Sequence, residues 1–493
     1  MVGAGIAGLL TALELLERGL TVVVLEREHL GAGETGKTTA HLTCLLDTRY
    51  YALQRMHGDE AIRRVIASHR RALAHLERVA NARQIDCDFE RVGGFLFATR
   101  EEHPAMLEKE HRVAAEAGLG CQLLRHAPLP FATGPALHLG RQAKLDPAAF
   151  LLGVARAVRQ LGGMIAAPAH VQEIEPGEPC KVVTSSEQVL EARNVVIATD
   201  TPINDLVKMH TKQAAYRSYA LAIRSGGDLP RELFWDMEEP YHYVRSGRSP
   251  EANGSGQEVL IVGGEDHKVG QEAEPERCWE RLETWARERF PALDSVINRW
   301  SGQILEPVDG LAYIGRNPGD GNIYIATGFA GNGMTYGAIS ALLLADLIVG
   351  NENPWAELYR PSRKPSSISA VASYVSENVN VAVQYLDWVR SGDAANVETL
   401  AAGEGVVLRR GLKKLAVYCD ASGLLHEFSA TCPHLGGVVA WNRAEKTWDC
   451  PCHGSRFDCY GKVLNGPAVS DLVPADDDDD RPSESELVGV ALP

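Results

Sequence analysis

The stretch Gly3-Ala-Gly5-Ile-Ala-Gly8 constrains the fold of this chain more than any other local feature. Behind it Ile6, Leu9, Leu10, Leu13 and Leu16 recur at helical spacing and Gly19 is placed to end the run, so a helix is predicted over 6–19. Thr21 to Leu25 is then a continuous, largely β-branched stretch, the pattern of a buried parallel strand. Glu26 ends that strand 18 residues beyond Gly8. Glycines at these spacings let the backbone turn tightly, approach a pyrophosphate and pack helix on strand. The open N–H groups of the helix start attract the anion, and an acid at this distance accepts from a ribose hydroxyl. An acid there favours an unphosphorylated ribose, so the expected nucleotide is FAD or NAD.

The whole chain has 493 residues, enough for about three domains. With 45% hydrophobic and 23% charged residues it is globular in composition, which excludes a disordered or fibrous protein. Acidic residues outnumber Lys and Arg by 65 to 49, and the net charge of −16 repels phosphate backbones; neither nucleic acid nor an anionic membrane is expected as a partner. Part of the excess, Asp476 to Asp480, reads as a solvated loop. No transmembrane segment is expected: the best apolar run, Ala338 to Val349, contains Asp346 and falls short of the ~20 residues needed. The N-terminus lacks the basic region and hydrophobic stretch of a secretory signal. Ten cysteines are too few for a disulfide scaffold. Five of them (Cys419, Cys432, Cys450, Cys452 and Cys459) crowd into the last 75 residues, where metal binding is the better reading. A cytoplasmic location is expected.

Helices are predicted over 59–83, from the Asp146-Pro147 cap to about 161, over 275–290, from about 335 to 349 and over about 368–390. Phe89 to Thr99 reads as two short strands joined at Gly93-Gly94. Strands are predicted near 170–174, 180–184 and 194–198, through 215–265 with a loop at 246–257, and at Asn322 to Ala326. Prolines and serines mark 350–366 as a domain boundary, and a β-rich, turn-rich tail begins near 398. Val259-Leu-Ile-Val-Gly-Gly264 starts like a second dinucleotide turn. Its continuation lacks a third glycine and a helix, so it reads as a strand end and no separate NAD(P) domain is expected.

The tail carries the most specific motif. Cys432-Pro-His434 is followed after 15 residues by Cys450-Pro-Cys-His453. Two Cys–His pairs read as either a zinc site or a Rieske [2Fe–2S] centre, and the C-x-H spacing is too tight for an ordinary zinc finger. Leu435-Gly436-Gly437 after the first pair, Gly454-Ser455 and Phe457-Asp458 after the second, and Gly466-Pro467-Ala468 beyond resemble Rieske domains over roughly 401–493. The resemblance implies Cys432 and Cys450 on one iron, His434 and His453 on the other. High-potential members pair a cysteine at the position of Gly437 with that of Cys452, and carry a tyrosine where this chain has Phe457. Ser455, which can bond a bridging sulfide, is retained. Fewer donors to the sulfurs predict an intermediate or low potential, which a redox titration reads directly.

Residues 1–350 resemble the D-amino-acid-oxidase-like family of FAD-dependent oxidoreductases. The matching blocks are Gly3–Gly8 with Glu26, Gly31-Ala-Gly-Glu-Thr-Gly-Lys-Thr-Thr-Ala-His41, Asp146-Pro147 with its helix, the strand before Ala198-Thr199, and the strand-loop-helix through Gly328–Thr335. The resemblance implies FAD, held by Gly3, Gly5, Ile6, Ala7, Gly8, Glu26, Arg27, Thr38, Thr39, His41, Val171 and Thr199. Gly328, Gly331, Asn332, Gly333, Met334 and Thr335 would stand at the flavin end, where a helix N-terminus stabilises charge on the reduced ring. The family has a strand of about five residues before the first glycine; only Met1 and Val2 precede it here, which predicts a shortened start or a sheet without its central strand.

The expected fold class is an α/β FAD-binding Rossmann-type domain (about 1–80, 145–215 and 300–350) with an inserted antiparallel β substrate domain (about 81–144 and 216–299). A linker with a helix over 351–400 leads to a small all-β Rieske domain over 401–493. Tyr216, Arg217 and Tyr219, then Tyr241, His242, Tyr243 and Arg245, fall where the resembling family builds its substrate wall, and alternation puts Tyr241 and Tyr243 on one sheet face. No catalytic base is identified. The resemblance implies oxidation of a small amine or amino acid by hydride transfer to the flavin. The fusion suggests that electrons then leave singly through the cluster to an external acceptor, a protein or a quinone. Two other readings stay open: a reductase or monooxygenase-type module whose Rieske domain receives electrons from a donor and feeds the flavin, and a non-enzymatic redox sensor.

Overall fold

The computed structural model describes residues 1–204, 209–249, 257–364, 367–388, 397, 400–411 and 413–475. Asp476 to Asp480, residues 250–256 of the expected loop and most of 389–399 lie outside them. The chain divides into two compact units, Met1–Lys268 with Glu276–Asn378, and Val269–Pro275 with Val379–Pro493.

The first unit is organised around the helix Ile6–Glu17, which packs against Gly333–Val349 and Pro147–Gln160. A helix apolar on nearly every side is stable only when covered all round. Val2 bridges in parallel to both Leu25 and Ile197. It thereby joins the pair Val23–Leu25 and Met164–Ala166 to the trio Val195–Ile197, Ile323–Thr327 and Tyr313–Arg316. The central slot of the sheet is thus filled by Met1 and Val2, with Val2 N donating to Val196 O at 2.8 Å and Gly3 N to Leu25 O at 2.8 Å. Asp146 caps Pro147–Gln160, accepting from Ala148 N at 2.9 Å and Ala149 N at 3.0 Å. Asp146→Ala is expected to cost about 1 kcal/mol, read as a lowered melting temperature.

A nine-stranded sheet forms the other layer. Its order is Leu293–Pro307, Gln213–Ser225, Gln257–Lys268, His242–Ser249, Leu233–Asp236, Glu90–Phe97, Ala136–Lys144 and His41–Leu42, with Cys121–Leu124 also on Ala136–Lys144. The sheet reaches beyond 216 and 299, since Gln213 pairs with Pro307. Helix Glu276–Arg289 covers one face, seating Cys278, Leu282 and Ala286 against Tyr219, Leu221 and Leu260.

Three expectations are corrected here. Phe89 to Thr99 holds a single strand, Glu90–Phe97, whose pairing shifts between Val92 and Gly94. The glycines mark a bulge because neighbours crowd them: a Cβ on Gly93 would lie 2.9 Å from the Glu232 carboxylate, and one on Gly94 3.1 Å from the Trp235 ring. Val259 to Gly264 is no strand end; the strand continues to Lys268, and Gly263 and Gly264 make room for the Tyr243 ring and the Tyr241 carbonyl. The expected loop at 246–257 starts later, because His242–Ser249 is paired throughout with Gln257–Gly264.

In the second unit two antiparallel sheets enclose a small core. One holds Gly405–Arg410, Lys413–Cys419 and Leu425–Ser429, the other Ala440–Asn442, Thr447–Asp449, Arg456–Asp458 and Val463–Asn465. Trp448 and Phe457 are fully buried in that core. The linker helix ends at Gln384 and tightens into a turn, Tyr385–Trp388, whose Tyr385 and Trp388 pack on the same core. No helix among the described residues is long and apolar enough to cross a membrane.

Candidate active site and cluster site

Gly3 has a left-handed backbone (φ +97°), and a Cβ there would overlap Ala198 O; one on Gly8 would overlap Gly3 O. Only glycine lets the helix start approach the strand ends this closely. The N-cap residues Gly5 and Asn332 of the two central helices make no side-chain cap; Thr35 Oγ1 accepts the Ile6 N–H at 3.0 Å, and the later first-turn N–H groups would face an anionic group. Glu26 accepts from Ala4 N at 2.8 Å and Glu28 N at 3.1 Å, which fixes its carboxylate beside the Gly-rich turn, and Arg27 bonds Glu28 at 3.1 Å. Val171 shares a buried cluster with Val2 and Leu25. Thr199 Oγ1 donates to Thr201 O at 2.7 Å, Thr38 Oγ1 accepts from Ala40 N at 3.1 Å, and Thr335 Oγ1 donates to Asn332 O at 2.9 Å. Gly328 is left-handed, and Ala7 and Met334 are buried at the two helix starts. Glycines that bring the helix start hard against the strand ends, at helix starts whose N-cap residues make no side-chain cap, fit FAD.

Tyr241 and Tyr243 stand with ring centroids 5.8 Å apart, and Tyr243 meets His41 edge-on at 5.0 Å. A Cβ on Gly331 would lie 3.5 Å from the Tyr241 hydroxyl, which ties this pair to the loop expected at the flavin end. Thr39, whose carbonyl accepts from Arg245, adjoins Tyr243. His41 is held neutral: burial, then Arg245 and Lys144, take its pKa down to about 3.

The rest of the expected wall lies elsewhere, because the sheet has two faces and a helix covers one. Tyr243 packs against the large core, Tyr219 in the core beneath Glu276–Arg289. Tyr219 is fully buried, edge-on to Trp279 at 5.0 Å, with its hydroxyl 3.0 Å from His267 Nε2. His242 stacks on Trp285 at 4.7 Å between Asp236 at 3.0 Å and Glu265 at 3.2 Å. Burial works against its charge, but those carboxylates lift its pKa to about 9. Arg217 donates to Ser301 O at 3.2 Å, and Arg245 donates to the carbonyls of Thr39, Ser246 and Leu145.

Acid is what the sequence reading missed. Asp47, Asp266 and Glu306 gather around Tyr241, and Asp47 Oδ2 accepts from Gly331 N at 3.0 Å. Burial, then the charge of Asp47, raises Asp266 to about 7. Burial, then Asp47 and Asp266, raises Glu306 to about 8. Ser218 Oγ, buried between Asp266 and Tyr243, makes no well-formed hydrogen bond, and neither does Asp266 Oδ1.

The cysteine and histidine pairs sit on two loops of the same design. Cys432 N donates to Gly437 O at 2.8 Å and Gly436 N to Cys432 O at 3.0 Å; Cys450 N donates to Ser455 O at 2.8 Å and Gly454 N to Cys450 O at 3.0 Å. Left-handed Gly436 and Gly454 (φ +75° and +79°) let each loop double back. Cys432 and Cys450 are buried within hydrogen-bond reach of one another, and His434 meets His453 edge-on at 5.0 Å. A sulfur pair beside an imidazole pair is what a two-iron cluster asks of the protein. Among the described residues no three His, Cys, Asp or Glu converge as a single-ion cage requires. Ser455 Oγ accepts from Ala468 N at 3.0 Å, leaving its proton for a sulfur. Arg456 braces the second loop, donating to Asp449 at 2.9 Å and Glu445 at 2.8 Å.

Comparison with known proteins finds both domains. Residues 1–347 match the FAD dependent oxidoreductase family and residues 388–475 the Rieske [2Fe-2S] domain. The chain is 30% identical to YhfW of Bacillus subtilis (strain 168), described as a Rieske 2Fe-2S iron-sulfur protein, over 96% of this chain and 92% of that one. It is 26% identical to gamma-glutamylputrescine oxidoreductase of Escherichia coli (strain K12), over 71% of this chain and 83% of that one. Glycine oxidase from Geobacillus kaustophilus shares the fold, with a TM-score of 0.61 at 18% identity, over 74% of this chain and 98% of that one. Since the match runs through the Gly-rich turn, the inserted sheet and the Gly331 loop alike, the chain belongs to the FAD-dependent oxidoreductase family, and its cofactors are FAD and a Rieske [2Fe–2S] cluster.

Proposed function

We propose that the chain oxidises a small amine carrying positive charge and passes the electrons singly to an external acceptor, a protein or a quinone. The observation that carries this reading is the gathering of Asp47, Asp266 and Glu306 about Tyr241, beside the Gly331 loop. Arg245 is engaged on three backbone carbonyls, and Arg217 donates to Ser301 O and lies near the Glu34 carboxylate. An amino-acid carboxylate would meet like charge there, whereas an ammonium group meets acids that gain by pairing. A relative named for gamma-glutamylputrescine points the same way. When bound, FAD supplies hydride acceptance and the cluster supplies one-electron transfer. The chain's own part is positional. Tyr241 and Tyr243 confine the substrate, the acids hold its cationic end, and neutral His41 adds no competing charge. A cytoplasmic setting accords with ten cysteines that form no disulfide.

Anaerobic mixing of the FAD-loaded protein with diamines, monoamines and amino acids tests the reading, with flavin absorbance and cluster EPR followed together. Bleaching by diamines ahead of amino acids, followed by growth of a Rieske signal, is expected. No bleaching by any amine, while dithionite still reduces both centres, would overturn it.

A further inference from the structure

The two cluster loops have no covalent link to each other, yet they must stay in register for a sulfur pair and an imidazole pair to serve one cluster. Residues far from both motifs hold them. Tyr385 donates its hydroxyl to Leu435 O at 2.7 Å and Trp388 Nε1 donates to Gly436 O at 2.9 Å, both on the first loop. Gln271 donates to Pro451 O on the second loop at 3.4 Å and to Asn380 Oδ1 at 2.9 Å. A Cβ on Gly270 would lie 3.0 Å from Asp449 O and Pro451 N, so that segment lies flat on the second loop. All these residues belong to the second unit. We propose that Gln271, Asn380, Tyr385 and Trp388 form a non-covalent clasp that holds the two cluster loops in place of a cross-link, with Tyr385 and Trp388 as positioning residues for the cluster.

The fold also offers the cross-link that the clasp replaces. A Cβ on Gly437 would lie 2.6 Å from Cys452 Sγ and 3.4 Å from Cys452 Cβ, at the short edge of the roughly 3.5–4.5 Å between disulfide Cβ atoms. Gly437 is not left-handed, so a cysteine fits its backbone. In Gly437→Cys, the new thiol and the Cys452 thiol give up two protons and two electrons to added oxidised glutathione, which leaves as two molecules of reduced glutathione.

The test follows iron release from the cluster-loaded full chain to a ferrous-iron chelator. Tyr385→Phe, which removes one oxygen and keeps the ring, is expected to speed release about threefold, and Tyr385→Phe with Trp388→Phe about tenfold, with a broader Rieske EPR signal. Adding Gly437→Cys to the double variant restores the slow release after oxidised glutathione, and dithiothreitol abolishes the restoration. Release at the parent rate in both Phe variants would overturn the clasp. So would fast release that persists once mass spectrometry shows the disulfide formed. Neither readout involves amine turnover, so the proposal fails or stands apart from the assigned substrate class.

Discussion

Cys432→Ser is expected to empty the cluster site, lowering bound iron at least about 100-fold, while amine-driven bleaching of the flavin persists. The sulfur pair is the soft half of the ligand set, and a serine hydroxyl is a hard, weakly acidic substitute. Cys432 is buried against Cys450, and its backbone closes the first loop through Gly437 O at 2.8 Å, so the loss is chemical before it is structural. Turnover with a one-electron acceptor should then collapse even though the half-reaction at the flavin survives. Iron analysis, single-turnover absorbance and steady-state turnover separate the outcomes. Unchanged turnover in an iron-free variant would take the cluster off the electron path. Loss of amine-driven bleaching with FAD still bound would favour a protein whose electrons enter at the cluster.

Both cofactors were legible in the sequence because each is signalled by contiguous turns. The glycines of Gly3–Gly8 and the C-x-H and C-x-x-H spacings encode backbone geometry and ligand type within a few residues, and tertiary packing adds little to either. The substrate side was not legible in the same way. Alternation assigns Tyr219 and Tyr243 to faces, but which face a helix covers depends on where Glu276–Arg289 docks, a long-range fact. His242 and Arg245, both expected in the substrate wall, are consumed by Asp236, Glu265 and three backbone carbonyls. Asp47, Asp266 and Glu306 come from three distant segments, and only the fold gathers them at Tyr241. A faint signal existed: acids that interrupt mainly apolar strands, Asp266 after Gly264 and Glu306 before Pro307. Gly93-Gly94 misled because a bulge and a turn ask for the same residue.

Recognition of a cationic amine is expected to switch on as the pH rises. Burial and neighbouring carboxylates raise Asp266 to about 7 and Glu306 to about 8. Below those values both acids hold protons and offer a cation only hydroxyls; above them both are ionised. kcat/KM for a diamine should therefore climb by roughly tenfold between about pH 6 and about pH 9. The substrate itself loses protons more readily over that range, so the control is Asp266→Asn with Glu306→Gln, which leaves the substrate's own slope. In this pair KM is expected to rise about 10- to 100-fold, the loss of charge-assisted contacts, with kcat moved far less. Stability should run the other way. A carboxyl raised in the fold keeps a proton that the unfolded chain, titrating near 4, has already released, so its contribution falls as the pH climbs from about 4 to about 8. The melting temperature of the parent should fall across this window, the double variant should be flatter, and a bound diamine should restore the parent most at the alkaline end. A flat melting profile in the parent, or a double variant whose KM for diamines matches the parent's, would remove these acids from substrate recognition.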